Sequence, residues 1–373
     1  MKALLRIALL VALTVAVALS AGAQEKSWVG ELVQYTKPSA SIRFGDRVGD
    51  KRVDFPFSGI MPIKVRAERD GQMRIHDGIR EGWVDKADFV LVRDAAAYFE
   101  RRVRANPKDA FALYMRGVGL FQKGELDNAI SDFNRCLRLQ PHQFPVLNSR
   151  GNAWSAKKDY DKAIADYSEV IRLHPEYALA YRNRGLAWHE KKDYESAIAD
   201  FNQAIRIDPK YTPVFGSRAN SWSAKKNYEK AVADYSEVIR LDPTCADAYC
   251  SRGLAWQEQK KFGKAIADYS EAVRIDPNFV DAYNSRAWIW ATCPDAKFRD
   301  GKKALESARH ALELDPKDAA NMDTLAAAYA ETGDFAEAVR WQEKAMEDPQ
   351  LKNDANARHR LELYRDKKPY RQE

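Results

Sequence analysis

Hydrophobic and polar positions follow two different patterns along the chain. Residues 26 to about 93 contain short β-rich segments, such as 27–33, 60–68 and 81–84, which are separated by turn signals. From Asp94 onward the strand pattern ends, and alanine-rich segments follow in which apolar residues recur at helical spacing. The pattern therefore predicts a small β domain followed by a long series of amphipathic helices.

The helical part has an internal period of 34 residues. Its clearest marker is a proline that recurs six times at this spacing, at Pro107, Pro141, Pro175, Pro209, Pro243 and Pro277. Proline ends a helix because it lacks the amide donor and clashes with the preceding turn. A fixed period in this range is typical of stacked repeats, in which one repeat cannot fold alone and neighbouring repeats share their core.

Each repeat resembles the tetratricopeptide repeat, which consists of a helix, a turn and an antiparallel helix. In the second repeat the residues that match the family's pattern are Leu147, Gly151, Trp154, Ala163, Tyr167, Val170 and Pro175. The resemblance implies a mainly α fold, a right-handed α-α superhelical solenoid of about seven repeats, with a concave groove lined by the first helices. These repeats are predicted at 110–143, 144–177, 178–211, 212–245, 246–279, 280–318 and 319–350.

The segments on either side of the repeats complete the predicted domain organisation. Residues 94–109 are expected to form a leading half repeat, and residues 351–373 are expected to form a C-terminal capping helix and tail. Residues 82–91, with the sequence GWVDKADFVL, resemble the last strands of a bacterial Src-homology-3-like barrel. This resemblance implies a small all-β, SH3-like domain at residues 24–93.

The first 23 residues have the features of a signal peptide. A basic start precedes an apolar run at 7–19, and a small-x-small motif at 21–23 marks a cleavage site. The apolar run is short for a membrane span. We therefore expect a mature chain that begins near Gln24, is periplasmic or secreted, and has no stable membrane span. An uncleaved membrane anchor is the alternative.

The composition gives few signs of chemistry. The formal charge of +6 falls to +4 without Lys2 and Arg6, and it is dispersed along the chain, which argues against a nucleic-acid partner. The six histidines lack metal-ligand spacing, and neither a phosphate-binding glycine loop nor a Gly-x-Ser-x-Gly elbow occurs. Lysine pairs at 157–158, 191–192 and 225–226 fall in inter-helix turns and are expected to be solvated. We therefore predict no catalytic residues, no metal and no cofactor.

The four cysteines all lie in the helical part, at Cys136, Cys245, Cys250 and Cys293. An exported protein with four cysteines invites a disulfide interpretation. Their repeat positions differ from one another, however, so isolated thiols are expected. A bridge between Cys245 and Cys250 across a turn is the alternative.

Two periodic sets of residues are predicted to build the frame of the repeats. A tryptophan stripe, expected to be core packing rather than a ligand site, comprises Trp154, Trp188, Trp222, Trp256 and Trp290. The second set consists of an arginine on the first helix and an aspartate on the second helix, as in Arg150 with Asp166 and Arg184 with Asp200. Arginine suits such a pair because its guanidinium group can bind both carboxylate oxygens.

The first helices supply the candidate binding residues, since groove positions carry partner binding in the family that the chain resembles. These candidates are Asn148, Asn152, Arg182, Leu186, His189, Asn220, Leu254, Gln257 and Trp288. A solvated polar face is the alternative for any one of them. The sixth repeat also contains five extra residues within 292–301, which form either a further binding surface or a tolerated loop.

The function predicted from these features is that of an exported, non-enzymatic scaffold or adaptor. It would bind a protein or peptide partner in the groove of the repeats. The alternative is a cell-envelope attachment protein, in which the SH3-like domain contacts cell-wall material and the repeats act as a spacer.

Overall fold

The computed structural model of the protein describes residues 32–35, 42–43, 52–53, 63–69, 72–76, 81–85 and 89–372. The predicted signal peptide lies outside these residues. The chain divides into two compact parts, with the boundary between Lys191 and Lys192. All the described strands and the first six helices belong to the N-terminal part, and the remaining described helices belong to the C-terminal part.

The strands lie between residues 32 and 91. They are β1 (Leu32–Tyr35), β2 (Ile42–Arg43), β3 (Arg52–Val53), β4 (Ile63–Arg69), β5 (Gln72–His76), β6 (Glu81–Asp85) and β7 (Phe89–Leu91). Five of them form an antiparallel sheet in the order β6-β5-β4-β1-β7, and β2 pairs with β3. The described strands do not show a closed SH3-like barrel, which therefore stays a prediction.

The helices of the N-terminal part begin where the last strand ends. They are α1 (Val92–Ala105), α2 (Ala110–Gln122), α3 (Leu126–Leu139), α4 (Phe144–Ala156), α5 (Tyr160–Leu173) and α6 (Ala178–Glu190). From α2 to α15, the last helix of the seventh repeat, even-numbered helices are the first helices of repeats and odd-numbered helices are the second. Buried residues of the sheet, Val65 and Met73, belong to the same core cluster as Phe99 of α1 and Leu113 of α2.

The C-terminal part is helical throughout. Its helices are α7 (Tyr194–Ile207), α8 (Thr212–Ala224), α9 (Tyr228–Leu241), α10 (Ala246–Glu258), α11 (Phe262–Ile275), α12 (Val280–Thr292), α13 (Gly301–Leu314), α14 (Ala319–Glu331), α15 (Phe335–Ala345), α16 (Pro349–Asn353) and α17 (Ala355–Arg365). A short 3-10 turn, Ala296–Phe298, lies within the insertion of the sixth repeat. Among the described helices none combines the length and the apolarity that a bilayer span requires.

The turn between the two helices has the same backbone conformation in all repeats except the sixth. In the second repeat Lys158 adopts a positive φ of 62°, and the carboxylate of Asp159 then caps α5 by accepting a hydrogen bond from the amide of Lys162. The equivalent turn residues in the first and seventh repeats are Gly124 and Gly333, which adopt positive φ without a side-chain clash. Six of the seven repeats have one residue with positive φ in this turn, and in the second, third, fourth and seventh repeats the next residue caps the second helix.

Close packing of the two helices in a repeat depends on a small residue in the first helix. A Cβ atom added to Gly117 in α2 would lie 2.6 Å from Cε1 of Phe133 in α3. Gly151 faces Tyr167 in the same way, at 2.7 Å from its Cε1 atom. The fourth repeat has Ala219 at this place, so the helix pair can adjust to one methyl group.

We expect Gly117→Ala to lower the free energy of unfolding by about 1–2 kcal/mol, because the methyl group must displace the ring of Phe133. Gly119→Ala, on the same helix, is the matched control, since a Cβ atom there has no neighbour within 4 Å. The control should be neutral or stabilising by up to about 1 kcal/mol, because alanine has the higher helix propensity. Urea unfolding of the full chain measures both values, and equal stabilities of the two variants would contradict the prediction.

All four cysteines are free thiols. Cys136, Cys250 and Cys293 are buried, and Cys245 is half-buried at the start of α10. Burial raises the pKa of the Cys136 thiol and of the Cys250 thiol to about 12, and it also raises the pKa of Cys293. Thiolate is the reactive form of cysteine, so these three side chains are protected both sterically and by their protonation.

Cys245 should therefore be the first thiol to react with an aromatic disulfide reagent at neutral pH in the folded protein. The expected time course has one fast equivalent followed by slow reaction of the others. Cys245→Ser should remove the fast phase, and Cys250→Ser should leave it in place. A fast phase that survives in Cys245→Ser would show that the assignment is wrong.

Candidate partner-binding surface

An arginine and an aspartate connect the two helices of a repeat through two parallel hydrogen bonds. Arg150 on α4 donates from Nε and Nη2 to the two carboxylate oxygens of Asp166 on α5, at 2.9 and 2.5 Å. The same two-bond arrangement joins Arg116 to Asp132, Arg218 to Asp234 and Arg252 to Asp268. All four aspartates are buried, so each carboxylate needs the arginine to compensate for its lost hydration.

The remaining nitrogen of each arginine binds the second helix of the preceding repeat. Arg150 Nη1 donates to Oδ1 of Asn134 on α3 at 2.6 Å. Equivalent bonds run from Arg184 to Ser168, from Arg218 to Asn202 and from Arg252 to Ser236. One guanidinium group can therefore hold three helices, and these arginines fix how a repeat stacks on the one before it.

The sixth repeat departs from this arrangement because it has Ser307 in place of the aspartate. Arg286 reaches the Ser307 hydroxyl at 3.3 and 3.4 Å, and its guanidinium group lies over the rings of Tyr283 and Trp290 at 5.4 and 4.8 Å. Burial lowers the pKa of Arg286. The aromatic faces take over part of the stabilisation that a carboxylate supplies in the other repeats.

The tryptophan stripe is only partly buried. Trp154, Trp222 and Trp290 pack against core clusters and stay partly exposed. Trp188 and Trp256 are likewise partly buried. Lysines cover these rings: Lys162 lies 4.3 Å from the centre of the Trp154 ring, and Lys230 lies 4.2 Å from that of Trp222. The stripe therefore packs against the core, as predicted, and it also carries lysine contacts that the prediction did not include.

The lysine pairs in the turns have two different roles. The first lysine of each pair forms an ion pair with an acidic residue thirty positions earlier, and these pairs are Lys157 with Asp127, Lys191 with Asp161, and Lys225 with Glu195. The second lysine of each pair adopts the positive φ that the turn requires. The prediction that the lysine pairs are simply solvated is wrong for the first lysine, although its acidic partner stays highly exposed.

Three of the polar candidates on the first helices serve the core. Asn152 Oδ1 accepts a hydrogen bond from the Tyr167 hydroxyl at 2.7 Å, and Asn220 Oδ1 accepts one from Tyr235 at 2.6 Å. Gln257 does the same for Tyr269 at 3.0 Å. Burial raises the pKa of these tyrosines, so each hydroxyl stays protonated and acts as a donor. The carbonyl oxygens of these candidates are therefore already engaged.

The other candidates of the regular repeats differ in exposure. Asn148 accepts a hydrogen bond from Asn183 at 3.2 Å. Arg182, Leu186 and His189 lie half-buried on α6. Leu254 on α10 is 47% exposed, and Leu139 is the other large apolar side chain that is exposed in the part of the chain that the structure describes. Leu254 is thus the most accessible apolar side chain on the first-helix surface.

Trp288, the last candidate, contacts a segment of the same chain. Residues 367–372, here called the tail segment, follow α17, and the last three of them contact α12 and α14. The Trp288 indole N–H donates to Gln372 Oε1 at 3.1 Å, and the Trp288 and Tyr370 rings lie 5.9 Å apart. The groove position that was predicted to face a partner is therefore occupied from within the chain.

Arg371 and Gln372 add main-chain contacts at the end of α12. The Gln372 amide donates to the carbonyl of Thr292 at 3.0 Å, and Arg371 Nη1 donates to the carbonyl of Ala291 at 3.3 Å. Arg371 Nη2 also lies 2.7 Å from Oε2 of Glu331 on α14, an ion pair without hydrogen-bond geometry. An arginine is well placed here because the C-terminal carbonyls of a helix attract positive charge.

The capping helix α17 completes this surface. Arg360 of α17 binds both carboxylate oxygens of Asp323 on α14, at 2.9 and 2.8 Å, and both side chains are buried. The same guanidinium group lies 5.4 Å from the Trp288 ring centre and 5.5 Å from that of Tyr370. Residues 321–328 of α14 are all buried, which distinguishes α14 from the first helices α8, α10 and α12 of this part.

The insertion of the sixth repeat is tied down on both sides. Phe298 packs against Phe262 of α11 with ring centres 6.1 Å apart, and Arg299 donates to Glu331 Oε1 at 3.1 Å. A surface pocket of about 460 Å³ lies beside Phe298 and is lined by four lysines among other residues, Lys260, Lys261, Lys264 and Lys297. Among the described residues no group of three or more histidine, cysteine, aspartate or glutamate side chains could hold a metal ion.

Comparison with family models agrees with this geometry. Tetratricopeptide repeat models match residues 91–144, 150–212, 246–279 and 319–348, and a further TPR repeat model matches 223–260. The chain belongs to the tetratricopeptide repeat family. Comparison with the curated proteins finds no match.

Solved structures of tetratricopeptide proteins share the fold. The C-terminal part of a TPR repeat-containing protein from Cytophaga hutchinsonii is 19% identical with a TM-score of 0.52, over 63% of this chain and 94% of that one. A tetratricopeptide repeat protein from Parabacteroides merdae is 14% identical with a TM-score of 0.51, over 69% and 98%. Yeast Tom70 is 17% identical with a TM-score of 0.50, over 74% and 59%. These identities establish the fold and no finer property.

Removing one partner of a buried Arg–Asp pair should be costly. We expect Asp166→Ala to lower the free energy of unfolding by about 3 kcal/mol, because it leaves the guanidinium group of Arg150 without its carboxylate. Asp161→Ala, on the same helix, removes the exposed ion pair with Lys191 and should cost less than about 1 kcal/mol. Chemical unfolding of the full chain measures both, and similar losses in the two variants would contradict the assignment.

Proposed function

We propose that the protein is a non-enzymatic scaffold that binds a protein or peptide partner on the surface of its first helices. The observation that carries the proposal is the tail segment, in which Tyr370, Arg371 and Gln372 lie on α12 and α14 with side-chain and main-chain contacts. A first-helix surface of this protein thus binds an extended chain in cis. The same kind of contact is available to a chain in trans.

Different residues of a repeat hold its two helices together and face the surface, and this separation supports the proposal. The Arg–Asp pairs and the tyrosine hydroxyls satisfy the buried polar groups between the helices. The first helices outside the tail contact keep accessible residues, among them Asn220 and Leu254. An exposed leucine beside amide side chains offers both apolar area and hydrogen-bonding groups to a partner.

We also propose that the chain is exported and that residues 24–93 form an SH3-like domain. The basic, apolar and small-residue pattern of residues 1–23 supports export. Antiparallel pairing of β1 with β7 supports the domain, because the first and last strands of a small barrel must come together when it closes. Contact of this domain with cell-wall material belongs to the same proposal.

Site-specific photocrosslinking tests the binding surface. A benzophenone amino acid at position 254 of the full chain should give a defined adduct in the cells that produce the protein. The same amino acid at position 139 is the matched control, because Leu139 is similarly exposed but lies on a second helix.

The protein identified from the adduct is then purified and titrated. Leu254→Glu should weaken its binding at least tenfold, and Leu139→Glu should leave the affinity unchanged. The proposal would be overturned if adducts formed from position 139 alone or from neither position. It would also be overturned if Leu254→Glu and Leu139→Glu changed the affinity equally.

A further inference from the structure

The tail segment is directed back onto the repeats by the local structure at the end of α17. Lys367 adopts a positive φ of 57°, its amide donates to the carbonyl of Tyr364 at 3.0 Å, and the amide of Lys368 donates to that of Leu363 at 2.8 Å. These two bonds close the helix end, and Pro369 then prevents further helix. The chain therefore leaves the axis of α17 before it reaches the contacts that follow.

The surface that receives the tail segment has separate places for different chemical groups. Trp288 and Arg360 form a seat for the ring of Tyr370. Glu331 and the last carbonyls of α12 attract the positive charge of Arg371. Tryptophan and arginine are enriched among the residues that dominate binding at protein interfaces. The surface thus has a place for an aromatic ring next to a place for a guanidinium group.

Small residues make room for the extended chain on this surface. The positions of α12 and α14 that correspond to Ser155 and Gln257 of other repeats are Ala291 and Ala330, and both are buried. The position of α14 that corresponds to Leu254 is Ala327, which is also buried. Tyr370 packs against the cluster that contains all three alanines. The small side chains at these three positions therefore leave space for the tail segment, and Tyr370 fills part of it.

The insertion of the sixth repeat fixes the acidic group of the site. Arg299 donates to the carbonyls of Cys293 and Pro294 through Nη1 and to Glu331 Oε1 through Nε. The other oxygen of Glu331 is left for Arg371. Arg299 of the insertion thus holds the Glu331 carboxylate in place, and Arg371 of the tail segment pairs with the other oxygen of that carboxylate.

The tail segment fits this surface incompletely. The Nε2 atom of Gln372 is buried and has no hydrogen-bond partner within the described part of the chain. Tyr370, Arg371 and Gln372 all remain partly exposed. A buried amide without a partner costs about 1–3 kcal/mol, so a segment that satisfies the same groups without this loss would bind better.

We propose that α12, α14 and α17 form a binding site for an extended peptide in which an aromatic residue is followed by an arginine, and that Tyr370, Arg371 and Gln372 close this site in the free protein. The inference rests on the proposed function of the first-helix surface and names one of its sites, its ligand class and its regulation. Because the tail segment is covalently attached, its effective concentration is about millimolar for a short connection. An external peptide must compete with it.

Fluorescence anisotropy with a peptide of residues 366–372 tests the site. The labelled peptide is titrated into the full chain and into the full-length double variant Tyr370→Ala/Arg371→Ala, whose own tail cannot occupy the surface. The double variant should bind at least tenfold more tightly than the unchanged protein. A peptide with alanine in place of Arg371 should bind it at least tenfold more weakly.

Two further variants locate the binding. Glu331→Gln in the double-variant background should weaken the peptide at least fivefold, because it removes the charge that faces the arginine. Glu313→Gln is the matched control, since this exposed carboxylate lies on the second helix α13. Circular dichroism and the unfolding midpoint check that each variant is folded.

Hydrogen exchange tests the closure separately. The amide of Gln372 should exchange more slowly in the full chain than in the double variant, because it donates to Thr292 in the closed form. Four results would each overturn the inference. The peptide could bind the unchanged protein and the double variant with equal affinity, or fail to bind the double variant at millimolar concentration. Glu331→Gln and Glu313→Gln could have equal effects, or the Gln372 amide could exchange without protection in the full chain. Crosslinking through position 254 tests the proposed function on a different first helix, α10, so a failure of this inference and a failure of the proposed function can be told apart.

Discussion

The two-bond ion pair between an arginine and an aspartate is the interaction on which the repeats depend. Each aspartate is buried, so it is stable in the fold only while a guanidinium group faces it. The planar shape of that group matters as much as its charge, because Nε and Nη2 serve one helix while Nη1 serves another. A lysine could replace the charge but not the geometry.

The place where this ion pair lapses is also where the repeats become individual. The sixth repeat has Ser307 opposite Arg286, and it carries the insertion whose Arg299 reaches Glu331. The next first helix, α14, has small residues at its groove positions and is covered by the tail segment. Regular repeats build a uniform frame, and the departure from regularity coincides with the surface that binds a chain.

The periodic features of this protein could be read from its sequence, and the features that occur once could not. The positions of Arg150 and Asp166 recur in several repeats, so their pairing followed from the period and from the preference of arginine for carboxylates. The ion pairs between turn lysines and the preceding repeat were missed, although the signal is a lysine and an acidic residue thirty positions apart.

Contact of Gln372 with Trp288 spans 84 residues and has no repeated counterpart, so no pattern in the sequence predicts it. The lysine contacts of the tryptophan rings were also missed, because a lysine can lay its apolar stem along an aromatic ring while its charge stays in water.

The hydroxyl groups of the buried tyrosines have a consequence for how this protein can evolve new specificities. Asn152 and Asn220 each hold a tyrosine hydroxyl from the core, whereas the repeats with Leu186 and Val118 at the equivalent position carry Phe201 and Phe133, which have no hydroxyl. Replacing either asparagine by an apolar residue would strand a buried donor unless its tyrosine changed as well. The surface asparagine and the core tyrosine of such a repeat must therefore change together. On the repeats whose aromatic residue is phenylalanine, a single mutation can change the surface residue without leaving a buried hydroxyl unpaired.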